Sequence, residues 1–516
     1  MNRGVVVSVL LYAVLAILVI PVFPHFPSPN EYSRWALDAA IVDFHTIEVT
    51  PVLRSTGIPI TDLAEVDGRL FSNKPPGAAL MVLPVYALVR AVAGPPSIAT
   101  MRMTLTVIRL AGATVPVILL ALWVASVARR SGCSESRTNA AVTAMLFATP
   151  LFCYGLLFFA HALSAVSLFG AWALLFATDR RPSADYAAGS LIGLAVLCEN
   201  PNAVPSVALI VCAMGALRIR GLIRVIACGL PFAAILGVYN YVAFGSPFAV
   251  AYLYDRDAHI RTTFRTGAFG LGVPSMAYFL DMLLDSSKGL LVLSPVVIIA
   301  IAGIMRARRA LSRPAFVALL VAPLLLIVAI AGYPYWFGGR SIGPRFIVPV
   351  LPFIALLTAF AEQTLVEAVL LGASSATIAV MSLVFPFVPT IYAVPWVSFS
   401  WPLLRHGCVA PNLFHFIWAP LAVVAPFAIV TAAIVMAVPL RHVTLLGVGA
   451  VLWFAIGFIA EARHASPPYL RILVEAVNFE RRDAIERALP AGHPAIPILQ
   501  KQAEALRRLP PPSWPF

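Results

Sequence analysis

A succession of apolar runs, most of them close to twenty residues and set apart by short polar joints, limits this chain to very few architectures. After an initial run, Val5 to Phe23, they lie near 104–128, 138–153, 162–178, 184–198, 202–217, 222–244, 288–304, 315–333, 346–361, 365–388, 417–438 and 442–460. Within hydrocarbon no water can satisfy a backbone N–H or C=O. Runs of about 20 apolar residues therefore close their hydrogen bonds internally, as membrane-crossing helices. The chain is 60% hydrophobic and only 11% charged, against about 25% charged in an ordinary soluble domain. The expected class is an all-α polytopic membrane protein: a multi-span domain over 1–461 and a polar tail over 462–516.

Val5 to Phe23 follows Arg3 and has the look of a secretion signal. It lacks a small-residue cleavage site and runs into Pro21, Pro24, Pro27 and Pro29, so a retained signal-anchor helix is expected. The formal net charge of +13 is spread as small arginine clusters between apolar runs. That is the pattern of cytoplasmic joints under the positive-inside rule, and it argues against nucleic acid as a partner. The six cysteines show no metal or redox spacing.

Orientation turns on Gly77 to Ala93, which is apolar but short, with Pro84 and Arg90 inside it. If it dips into the outer leaflet without crossing, Arg129/Arg130/Arg137, Arg180/Arg181, Arg218/Arg220/Arg224 and Arg306/Arg308/Arg309/Arg313 all fall inside. That arrangement obeys the charge bias. It gives about thirteen spans, amino terminus inside and carboxyl terminus outside, in a cell membrane of bacterial inner-membrane type. The outer face then carries 25–103, 245–287, 333–345, 389–416 and the tail. In the tail, Leu470, Leu473 and Val477 against Arg471, Glu475 and Arg481 suit a helix lying on the membrane surface, ahead of a proline-rich end from Pro510 to Pro515. No repeat of 20–50 residues is present.

The first outer loop concentrates groups able to do chemistry. It contains Asn30-Glu31-Tyr32-Ser33-Arg34, then Asp38 and Asp43, Asp62 to Arg69, and finally Phe71-Ser72-Asn73-Lys74-Pro75-Pro76-Gly77. A carboxylate just past the first helix could deprotonate an acceptor hydroxyl. A lysine fixed by two prolines where the chain re-enters the membrane could hold a lipid phosphate. Lys74 is one of only three lysines, with Lys288 and Lys501.

An acid near the first span followed by an aspartate-bearing stretch ending in Lys-Pro-Pro resembles the superfamily C (GT-C) glycosyltransferases. The branch most resembled is that of the protein O-mannosyltransferases and lipid A aminoarabinose transferases. The likeness continues in Gly289-Leu290-Leu291, Ser294-Pro295 and Trp336 to Arg345, covering the chain to about residue 360. The resemblance implies a many-helix fold with a long first outer loop, a polyprenyl-phosphate-linked sugar donor, and a glycan, lipid or protein acceptor. Nothing in the residues calls for a metal or cofactor. The family usually has Asp-Glu where this chain has Asn30-Glu31. Glu31 takes the base role by position, with Asp38, Asp62 and Asp67 as alternatives.

Lys74, Arg345 and Arg340 are the expected donor-phosphate ligands. The arginines flank a turn with Gly338-Gly339 and Gly343-Pro344 that lets backbone approach a ligand closely. Arg34, Asp62, Asp67, His161, Glu199 and Lys288 are candidate substrate contacts. Each also has a plain structural reading: an i+3 partner for Glu31, turn formers, a core histidine, a helix-break carboxylate and a helix boundary. Asp255-Arg256-Asp257 and His259 read as a solvated charge run. Two readings from other classes stand beside this one: a secondary transporter or lipid flippase, and a non-catalytic envelope-assembly subunit.

Overall fold

The computed structural model describes residues 3–464 apart from 20–27, 59, 178–180, 266, 268–269, 391 and 406. The expected surface helix of the tail, its proline-rich end, Arg180, and Pro21, Pro24 and Pro27 lie outside the described residues.

The chain opens with α1 (Arg3–Leu18), α2 (Pro29–Phe44) and α3 (Thr50–Thr56), then strands β1 (Leu63–Val66) and β2 (Arg69–Ser72). Next come α4 (Gly77–Ala93), α5 (Ile98–Arg109), α6 (Val115–Arg130), α7 (Glu135–Phe147), α8 (Leu151–Tyr154), α9 (His161–Phe176) and α10 (Pro182–Cys198). The middle holds α11 (Ala203–Met214), α12 (Ile219–Phe244), α13 (Ala258–Phe264), α14 (Met276–Leu284), α15 (Leu290–Leu293), α16 (Ile299–Ala310) and α17 (Arg313–Ile330). The last five are α18 (Leu351–Phe360), α19 (Leu365–Val384), α20 (Trp401–Arg405), α21 (Ala419–Val435) and α22 (Val443–Glu461).

The apolar runs expected from sequence coincide with helices, with local differences that proline explains. The 138–153 run breaks after Phe147 because Thr149-Pro150 starts a new turn. The 288–304 run divides at Ser294-Pro295, and the run after Arg345 begins as a 3-10 helix holding Pro349. Five helices are long and apolar enough to cross a membrane: Ala99–Arg130, Ile219–Phe244, Arg313–Ile330, Leu365–Val384 and Leu440–Glu461. Seven shorter apolar helices accompany them among the described residues.

The first of the five is continuous from α5 into α6 through a π-helical turn, Leu110–Thr114. Between Arg109 and Arg130 it extends about 32 Å, matching a hydrocarbon core of about 30 Å. Arg137, just beyond Arg130, and Arg306 meet at the end of α18. Arg137 donates to Glu367 at 2.5 Å and to the Thr358 carbonyl at 2.8 Å, and Arg306 pairs with Glu362. At the opposite, Ala99 end, α4 and α5 form a helical hairpin, and Arg90 near the end of α4 pairs with Asp43 of α2.

Inside a bilayer, helices gain little from excluding water and associate through close packing instead. Gly189 and Gly193 let α10 lie directly on the α12 backbone, at the carbonyls of Val225 and Gly229. Gly372 and Gly449 do the same for α19 and α22, against the carbonyls of Leu446 and Val369. A Cβ at any of these glycines would collide with backbone. Between these pairs runs an aromatic core of Phe169, Trp172 and Phe353, with the Trp172 indole donating to Ala315 O at 3.0 Å.

The chain departs from the expected all-α class in the β1–β2 hairpin, in register Leu63↔Ser72 through Val66↔Arg69, and in two isolated bridges, Val19↔Asn412 and Ala64↔Asp255. The hairpin's two-residue turn is Asp67-Gly68, with φ of +49° and +74°, the left-handed pair that a tight hairpin needs. Asp62, just before β1, and Lys74, just past β2, both lie at its open end, beyond the Leu63↔Ser72 pair.

Candidate active site

The first turn of α2 organises the site. Ser28 holds the N-cap position and Pro29 starts the helix, and Glu31, Ser33 and Arg34 then reach into separate parts of the molecule. Ser33 shares a 2.8 Å hydrogen bond with Ser72, whose hydroxyl accepts from Lys74 N at 3.2 Å. Arg34, 1% exposed, donates to Asn30 Oδ1 at 3.1 Å, Pro75 O at 3.3 Å and Glu199 Oε1 at 2.7 Å. One guanidinium thus fixes the Lys-Pro-Pro corner, the hairpin tip between α10 and α11, and the amide of Asn30.

Glu31, expected to be the base, does not face the cavity. It is fully buried, and Arg109 donates to both its oxygens, at 2.7 Å to Oε1 and 2.5 Å to Oε2. The Phe158 N–H adds a third bond at 2.6 Å. A carboxylate so engaged, and off the cavity wall, meets no acceptor hydroxyl and acts as a strong structural tie. Arg109 was passed over within the apolar run 104–128. Its signal was there, because an arginine inside such a run has to find a partner.

A half-open cavity of about 190 Å³ is walled by Ser28, Asn30, Asp62, Lys74, Tyr252, Tyr335, Arg340 and Arg345, with Phe159 and Phe346 behind them. Lys74 is 3% exposed; its ammonium lies 2.8 Å from Asp62 Oδ2 and donates to Tyr252 Oη at 3.1 Å. An ammonium has three N–H donors, so one remains for a ligand. Burial by itself would lower the Lys74 pKa. Asp62 and the Tyr252 hydroxyl outweigh it, and the net displacement is upward from 10.5.

Arg345 reaches the same cavity. Its guanidinium lies over the rings of Phe159 and Phe346, at 5.7 and 5.1 Å, and its buried Nε has no hydrogen-bond partner among the described residues. The preceding turn uses positive φ at Gly338, Gly339 and Gly343. A Cβ on Gly338 would sit 2.7 Å from Arg345 Cγ, so glycine there makes room for the arginine stem. Arg340 stands exposed on the same wall.

The remaining candidates lie elsewhere. Lys288 is buried under the arginine-bearing turn, donating to Gly339 O at 3.0 Å and to Ser341 O, and it does not line the cavity. His161 is 2% exposed and packs its ring against Tyr154, Phe159 and Phe346. Arg34 and Glu199 are spent on each other, and Asp67 occupies the exposed hairpin tip. Asp38 is fully buried with both oxygens unpaired among the described residues, and burial raises its carboxyl well above the ordinary value. Asp255, expected in a solvated charge run, is instead 1% exposed: it accepts from Asn73 Nδ2 at 2.6 Å and pairs with Ala64, tying its loop to the β1–β2 hairpin, while Asp257 caps α13. Sequence reasoning missed Tyr252 and Tyr335. Neither belongs to a charged motif, and only the fold brings their loops to Lys74.

No protein-family model and no curated protein matches this chain. Among solved structures, it is similar to ArnT from Cupriavidus metallidurans bound to undecaprenyl phosphate. Identity is 16% and the TM-score 0.48, over 95% of this chain and 80% of that one. It is also similar to the Archaeoglobus fulgidus oligosaccharyltransferase in the apo form, at 13% identity and a TM-score of 0.40, over 99% of this chain and 61% of that one.

Proposed function

We propose that this chain is a membrane glycosyltransferase that moves a monosaccharide from a polyprenyl-phosphate donor to a hydroxyl of a cell-envelope acceptor. One observation carries the reading. The Asp62 carboxylate and the Lys74 ammonium stand 2.8 Å apart in a single cavity that also holds Arg340 and Arg345. A carboxylate beside a cluster of cations is what displacement of a phosphate leaving group requires.

In the proposed step, Asp62 takes the proton from the acceptor hydroxyl as its oxygen attacks the anomeric carbon. The bond from that carbon to the phosphate oxygen breaks, and the polyprenyl phosphate leaves with the electron pair. Lys74 and Arg345 offset the negative charge the phosphate gains. Attack opposite the leaving group inverts the anomeric centre. Asp62 replaces Glu31 as the base because it lies on the cavity wall, whereas Glu31 is sealed by Arg109.

The cavity is proposed to open on the extracytoplasmic face. It lies on the α5 side of the α5–α6 helix, where Arg109 meets Glu31, opposite the end where Arg129, Arg130, Arg137 and Arg306 gather. Under the positive-inside rule, that cluster of arginines supports a cytoplasmic side for their end.

The test is transfer in proteoliposomes, with labelled undecaprenyl-phosphate sugars and nucleotide sugars offered separately with envelope acceptors. Transfer from the lipid-linked donor, lost in Asp62→Asn and Lys74→Ala at equal expression, is expected. Transfer from a nucleotide sugar without a lipid intermediate would remove the proposal.

A further inference from the structure

Asn30 stands where the resembled family carries an acid, and its surroundings fix which way the amide points. Arg34 Nε donates to Asn30 Oδ1 at 3.1 Å. A guanidinium has five N–H donors and no acceptor, so the atom facing it is the carbonyl oxygen; the flipped amide would set N–H against N–H. Arg34 cannot turn away, because its other nitrogens are held by Glu199 at 2.7 Å and Pro75 O at 3.3 Å. With Oδ1 committed, the NH2 branch is the half of the amide left to bind something else. Asn30 lines the cavity together with Lys74, Arg340 and Arg345. On the same wall Ser28, 2% exposed, keeps a buried hydroxyl with no partner among the described residues.

We propose that Asn30 Nδ2 is a ligand of the donor phosphate, giving a hydrogen bond to a non-bridging oxygen beside Lys74 and Arg345, with the Ser28 hydroxyl as a second neutral donor. This rests on the reading of the cavity as a donor-phosphate site. A group left with only N–H to offer matches a ligand atom that only accepts, and a phosphodiester oxygen is such an atom. The cations on the same wall draw an anion to that place. A carboxylate at position 30 would repel it. An amide at position 30 therefore serves phosphate binding, leaving deprotonation to Asp62.

The experiment measures binding of undecaprenyl phosphate, with undecaprenol as the uncharged control, to the full-length protein in nanodiscs. Asn30→Asp keeps the shape and an acceptor for Arg34 but replaces the donor with a charge. It is expected to weaken undecaprenyl-phosphate binding roughly tenfold or more and to leave undecaprenol binding unchanged. Asn30→Ala, which removes the donor without adding charge, should weaken it by several-fold. Unaltered phosphate binding in both variants, with Lys74→Ala still abolishing it, would overturn the inference and leave the reading of the site intact. A rise in turnover for Asn30→Asp would also overturn it, since position 30 would then be acting as a base. A wild-type protein that does not distinguish undecaprenyl phosphate from undecaprenol would remove the phosphate site itself, and this inference with it.

Discussion

Arg109 closes on Glu31 through two hydrogen bonds, 2.7 Å to one oxygen and 2.5 Å to the other, so the first turn of α2 is locked to the end of α5. Because the pair is buried, removing one partner leaves an uncompensated charge and costs about 3–5 kcal/mol. Glu31→Gln should therefore lower the thermal midpoint and the yield of folded protein. Replacing both with leucine should recover much of that loss, since well-packed apolar residues often substitute for a buried pair. An unchanged midpoint with turnover down by roughly 10²–10⁴-fold would instead make Glu31 the base.

Asp62→Asn should reduce turnover by roughly 10²–10⁴-fold, the ordinary contribution of a positioned base, with the protein still folded. Asp62 sits at the end of the hairpin, its side chain 23% exposed, and anchors no core element. Single-turnover kinetics with preloaded donor separates this from a binding defect. Turnover within a few-fold of normal would move the base elsewhere.

The pH dependence of donor binding follows from Lys74. Its pKa is displaced upward from 10.5, so the ammonium stays charged and binding should be flat through neutral pH, falling only above the ordinary lysine value. Burial, the largest influence, acts downward and is outweighed mainly by Asp62. Asp62→Asn should therefore shift the alkaline limb towards lower pH. A limb that does not move would mean that Asp62 does not set the Lys74 charge.

Lys288 predicts a positional effect. Lys288→Met would leave the carbonyls of Gly339 and Ser341 without their donor, at about 1–3 kcal/mol for each buried group left unpaired. The arginine-bearing turn should loosen, raising the donor KM more than it lowers kcat. Gly338→Ala should give the same signature, because its Cβ would press on the Arg345 stem at a φ of +69°. A pure kcat effect in both would count against Arg345 as a phosphate ligand.

Sidedness is checked by cysteine labelling with an impermeant reagent, in a background lacking the six native cysteines. Ser55 and Ser134 are both exposed. Ser55→Cys should react from outside and Ser134→Cys should not. The opposite result would turn the cavity towards the cytoplasm.

The helices were legible because each apolar run has one way to satisfy its backbone in lipid, and proline marks where the runs break. Lys74 and Asp62 were legible as members of one polar loop, and the Asp67-Gly68 turn explains how 62 and 74 meet. The engagement of Glu31 was not. It depends on Arg109, 78 positions away, and nothing local to Asn30-Glu31 encodes which face of α5 that arginine takes. Lys288 reads the same as a ligand or as a strut, because its role is decided by two carbonyls more than fifty residues later.

The glycine contacts between α10 and α12, and between α19 and α22, join helices that are not neighbours in the chain. During synthesis, α10 leaves the ribosome before α12 exists, and α19 waits for Gly449 in the last described helix. Neither seam can close as its first helix enters the membrane. The carboxyl-terminal part of the bundle takes its final shape only after translation has passed α22, so a ribosome that stalls before that point leaves α19 without its backbone partner.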